Sequence, residues 1–112
     1  AAGNWDYWSG MAISCSHGDQ KKIDTFYSSN AWNSVYVYQT STSPSVAGQY
    51  HLQSYLGNNT SAKNASDNQM VSWGSVIPST YYLWATSEYD YNCNGILPGN
   101  GTSGLTGKVN FL

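Results

Sequence analysis

The chain has no arginine, and Lys21, Lys22, Lys63 and Lys108 are its only lysines. Charged residues make up 9% of its 112 positions, against roughly 25% in typical globular domains. Phosphate backbones are bound by clustered Lys and Arg, so nucleic acid is not an expected partner. The net charge of −2 gives no attraction to anionic lipid either. No apolar run approaches the roughly 20 residues of a membrane-spanning helix, so no membrane span is expected.

The chemistry-bearing patterns are missing too. There is no C-x-x-C, no H-x-x-x-H and no G-x-S-x-G elbow. His17 and His51 lie far apart, and the acids are Asp6, Asp19, Asp24, Asp67, Glu88 and Asp90. A phosphoryl-transfer site would lack a guanidinium to meet developing charge. A glycosidase needs two carboxylates across a cleft, which a chain this short seldom frames. The sequence therefore reads as a non-enzyme with no catalytic residues and no cofactor.

What is present is hydroxyl, amide and aromatic. There are 17 Ser, 8 Thr and 11 Asn, with five Trp, ten Tyr and two Phe. Disordered chains are poor in aromatics and rich in charge, so this one should fold, and its length fits one domain over residues 1–112. The composition suits an extracellular surface, and the opening AAGNW resembles a mature terminus left after cleavage at small residues. Cys15 and Cys93 then read as one disulfide of a secreted protein. It would close a loop of about 79 residues, worth roughly 4 kcal/mol by loop entropy.

Strand formers dominate. In NSVYVYQT, Val35 and Val37 face one way, Tyr36 and Tyr38 the other; in GQYHLQSYL, Tyr50, Leu52 and Ser54 oppose His51, Gln53 and Tyr55. These two segments, joined by STSPSVA with Pro44, are expected to form a hairpin. Further strands are expected at 11–16, 23–28, 69–76, 80–87 and 107–112, with the polar run 57–68 as the longest loop. The expected fold is all-β, a small antiparallel β-sandwich or barrel of about 7–8 strands.

Two motifs bear on ligands. Asp90, Asn92, Asn94 and Gly95 match the first half of a calcium loop, but position twelve is Gly101 rather than Glu. The same residues make an ordinary turn, so calcium is a weak candidate and no other metal is expected. Trp5, Tyr7 and Trp8 cluster in NWDYW, and Tyr89 and Tyr91 follow YYLWATSE. Trp32, Trp73 and Trp84 read as mostly buried. Aromatic faces stack on the C–H faces of sugar rings while amides read the hydroxyls. Trp5, Tyr7, Trp8, Tyr36, Tyr38, Tyr89 and Tyr91 are thus the candidate binding face. Asn58, Asn59, Asn64 and Asn100 open N-x-[ST] triplets, which matter only in a eukaryotic secretory pathway.

The segment AGNWDYWSG, residues 2–10, resembles the opening of mature lactococcin-type bacteriocins, and the chain departs from that pattern in placing Trp8 before Ser9-Gly10, in its two cysteines and in its greater length. That resemblance implies a small secreted β-sandwich acting at a Gram-positive cell envelope. Three functions compete: a secreted binding protein for glycan or cell-envelope material, a bacteriocin or toxin component acting there, and a protein–protein or structural module.

Overall fold

The computed structural model describes residues 4–14, 20–28, 33–43, 47–87 and 102–111. Their regular elements are all strands: β1 (Asn4–Ser14), β2 (Lys21–Ser28), β3 (Asn33–Ser43), β4 (Gly48–Ser54), β5 (Lys63–Ala65), β6 (Gln69–Val76), β7 (Ser79–Ser87) and β8 (Thr102–Phe111). They form two four-stranded antiparallel sheets, ordered β1-β8-β3-β6 and β2-β7-β4-β5. The sheets pack face to face as a sandwich. No helix among the described residues is long and apolar enough to cross a membrane.

Period-2 alternation builds this core. Along β4, Gly48, Tyr50, Leu52 and Ser54 are buried, and Gln49, His51 and Gln53 are half-buried on the other face. Along β3, Val35 and Val37 are fully buried, while Tyr36 is exposed and Tyr38 half-buried. The first sheet adds Trp8, Ile13, Trp73, Leu105, Val109 and Phe111; the second adds Ile23, Phe26, Ala65, Tyr81, Leu83 and Ala85. Each fully buried large aliphatic contributes about 1.5–3 kcal/mol. Phe26 of β2 bridges the layers, stacking on Phe111 of β8 at 4.6 Å.

The expected β3–β4 hairpin does not form. β3 lies in the first sheet and β4 in the second, facing one another across the core. Each strand has one apolar face, and a crossing between sheets buries both faces as well as a hairpin does, so alternation cannot separate the two arrangements. The run 57–68 is also more ordered than expected: β5 pairs with β4, and Asn59 bridges Gln53. Ala65 is the one buried residue of β5, too short a pattern to read from sequence. β1 begins at Asn4, ahead of the strand expected at residue 11. Its extra residue between Trp8 and Met11 is a bulge, with Gly10 at φ 60°. The bulge returns Met11 and Ile13 to the core side after Trp8. Of the tryptophans expected inside, Trp73 is buried and Trp84 half-buried, and Trp32 lies outside the described residues.

Polar groups also enter the interior. The Tyr50 hydroxyl donates to Gln39 Oε1 at 2.7 Å, and Gln39 Nε2 donates to Asp67 Oδ1 at 2.9 Å. Thr42 Oγ1 donates to the same carboxylate oxygen at 3.2 Å. Burial, and then the Asp67 charge, push the Tyr50 hydroxyl far up, so it stays protonated as a donor.

A second polar pair joins β1 and β2, where Asp24 shares a hydrogen bond with Asp6 and Asp24 Oδ2 is buried without a partner. Burial, then the hydrogen bond and charge of Asp6, raise Asp24 to about 7 from 3.8. The folded chain therefore holds a proton that the unfolded chain releases near pH 4. This stabilisation is complete below about pH 4 and is lost as pH rises through about 7. The full displacement would amount to about 4 kcal/mol; screening at this partly exposed pair leaves about 1–2 kcal/mol. Asp24→Asn should be more stable than the parent at pH 8 and no more stable at pH 4, measured by urea melts. Equal differences at both pH values would show that the pair does not share a proton.

Candidate aromatic binding face

The outer face of the first sheet gathers aromatics that lie far apart in sequence. β1 turns Trp5 and Tyr7 outward, and Asp6 and Trp8 inward. β8 alternates in step, with Val109 buried between the outward Lys108 and Asn110. The register then fixes two rows. Trp5 lies opposite Asn110, which lies opposite Tyr36, which lies opposite Ser72. Tyr7, Lys108, Tyr38 and Met70 form the next row. Directly opposed side chains lie within contact reach of one another.

Lys108 is the centre of this face. Its Nζ lies 4.7 Å from the Trp5 ring centroid, 5.4 Å from Tyr38 and 5.9 Å from Tyr7. Each is a cation–π distance, and together they brace the rings around one ammonium. The Tyr38 hydroxyl donates to Asn68 Oδ1 at 3.2 Å, fixing its outer end. Tyr7 is 72% exposed and Trp5 37%. The result is a shallow aromatic surface with amide groups and one cation. It can stack on apolar ring faces and donate hydrogen bonds from the ammonium, a donor-only group.

Four expected residues, Trp5, Tyr7, Tyr36 and Tyr38, come together here. Trp8 does not: it points into the core and is 7% exposed. Its six-membered ring covers Gly107, where a Cβ would lie 2.8 Å from Trp8 Cζ2. One step along a strand reverses the face, so Trp8 cannot share a surface with Tyr7. Tyr89, Tyr91, Asp90, Asn92, Asn94, Cys15 and Cys93 lie outside the described residues. Among those described, no group of three or more His, Cys, Asp or Glu is placed to hold a metal ion.

Sequence reasoning missed Lys108. Its alternation with Val109 in GKVNF marks it as outward, but only the strand order places β8 between the two aromatic strands.

No family model matches the chain, and no curated protein matches it. Among solved structures it is similar to a chain from the structure of infectious bursal disease virus Gx strain, at 10% identity and a TM-score of 0.36. That likeness covers 96% of this chain and 32% of the viral one. Similarity this loose speaks to neither topology nor function.

Proposed function

We propose that this chain is a secreted, non-enzymatic binding protein that contacts glycan or cell-envelope material through the outer face of its first sheet. The observation that carries this reading is the grouping of Trp5, Tyr7, Tyr36 and Tyr38 around Lys108 and Asn110. Large rings held at a water-facing surface are suited to stacking on sugar rings, and Asn110 with Lys108 supplies hydrogen bonds to hydroxyls. The single ammonium would also favour a polymer with occasional acidic substituents.

The test is retention on insoluble polysaccharides and bacterial cell walls, read from tryptophan fluorescence of the unbound fraction. Retention on one polymer, reversed by its soluble oligosaccharide, is the expected result. Trp5→Ala combined with Tyr7→Ala should weaken it about tenfold or more, the equivalent of at least one lost stacking contact. Both side chains lie on the outer face, so the variant should melt close to the parent. Unchanged retention in that variant, or none by the parent on any polymer, would overturn the reading. The same face would then be tested against protein partners, since Trp, Tyr and Met are enriched at protein interfaces.

A further inference from the structure

The opposite side of the sandwich carries a different arrangement. On the outer face of the second sheet, Lys22 of β2, Trp84 of β7 and His51 of β4 share one row. Thr25, Tyr82 and Gln53 form the next. Beside Trp84, between β4 and the segment 59–62, lies a depression of about 360 Å³. Its walls include Gln20, His51, Gln53, Asn59, Thr60 and Trp84.

None of these groups carries a fixed charge. Burial lowers His51 below the usual imidazole range, against an opposing hydrogen bond from Asn59, so it is neutral at pH 7. The Trp84 indole N–H donates to Gln53 Oε1 at 3.1 Å, which fixes the indole and orients the amide. Among the described residues, the amide nitrogen of Gln53 and the side chain of Gln20 make no hydrogen bond to protein. The depression thus has one aromatic wall and several neutral donors and acceptors. Its volume lies at the small end of ligand cavities.

A neighbouring groove of about 460 Å³ differs in kind. Trp73, Ile77 and Tyr81 make much of it apolar. Three of its polar side chains are engaged: Trp73 Nε1 donates to Ser61 O, Tyr81 hydroxyl to Ile77 O, and Lys63 Nζ to Ser72 O. The two share Asn59 and Thr60, and the smaller depression is the more polar of them.

We propose that the depression beside Trp84 is a second binding site, for a single neutral sugar ring. The unspent amides match hydroxyls, which donate and accept, and the indole matches a C–H face. An anion would find no cation in the lining, and an apolar ligand would strand the amides. This inference rests on the glycan reading for its ligand class but uses none of the same residues. Two sites on opposite faces make one molecule bivalent, able to join two polymer strands.

The test is nuclear magnetic resonance of the indole N–H signals, with cellohexaose and chitohexaose as probes. It is run on the parent, on Trp5→Ala/Tyr7→Ala, and on Asn59→Ala, an exposed change with little bearing on folding. The expected result is a saturable shift of the Trp84 signal that persists in the double variant. In Asn59→Ala that binding should weaken about tenfold. The parent should also make soluble glycol chitin turbid, whereas each variant should not. Shifts at Trp5 without any at Trp84 would overturn the second site and leave the first intact. Shifts at Trp84 alone would sustain the second site and remove the first, and no shift at either indole with both probes would overturn both.

Discussion

Gly107→Ala should be strongly destabilising, costing about 3 kcal/mol and lowering Tm by more than about 10 °C. A Cβ at this position would sit 2.5 Å from the Tyr38 carbonyl oxygen and 2.8 Å from Trp8 Cζ2. The first clash is with the backbone of a paired strand, so a rotamer change cannot relieve it. β8 would have to move away from β3 or Trp8 would have to lift from the core. Trp8→Phe in the same chain should recover only part of the loss, because it frees the ring contact and leaves the carbonyl. Gly74→Ala is the control: its Cβ would meet only Ser34 Oγ, at 3.6 Å. Denaturant melts that place Gly107→Ala within about 0.5 kcal/mol of Gly74→Ala would refute this packing.

Gln39→Leu should cost about 2–4 kcal/mol, for a different reason. Gln39 is fully buried and holds Tyr50 through its carbonyl and Asp67 through its amide nitrogen. Leucine fills a similar space but leaves a buried hydroxyl without its acceptor and takes one donor from the Asp67 carboxylate, which Thr42 still meets. Gly48 leaves the room this contact needs, since a Cβ there would come within 2.5 Å of Gln39 Oε1. Tyr50→Phe alone should cost about 1–2 kcal/mol. Once Gln39→Leu has removed the acceptor, the second change should cost almost nothing, because no hydroxyl remains to be stranded. Strictly additive losses would mean that the two side chains do not act as a unit.

These residues also mark the limits of legibility. The alternation of Val35, Tyr36, Val37 and Tyr38 is enough to tell inside from outside, as is that of Tyr50, His51, Leu52 and Gln53. Two apolar-faced sheets then follow, and with them the sandwich. Pairing is not legible, because pattern says which side a strand buries and nothing about its neighbour. β3 next to β8 rather than β4 is a choice among arrangements that bury similar area. The candidate face inherits that division: Tyr36 and Tyr38 come from the period and Trp5 and Tyr7 from composition, while Lys108 needs the strand order. Trp8 is misassigned because three aromatics close together look like one cluster, although successive strand residues point to opposite faces. Gln39 in a core is equally invisible, since its burial depends on Asp67 and Tyr50 arriving from other segments.

The strand order carries a consequence for synthesis. Every strand of the second sheet precedes β8 in the chain, so that sheet can pair before β8 leaves the ribosome. The first sheet cannot be completed so early. Its interior strand β8 starts at Thr102, and both β1 and β3 pair with it. β1 ends at Ser14, so it waits through the synthesis of six other strands with no neighbour in its own sheet. Trp5, Tyr7 and Trp8 stay unpaired throughout that interval, which is when exposed aromatic strands aggregate. The face that gathers around Lys108 is therefore the last part of the sandwich to exist.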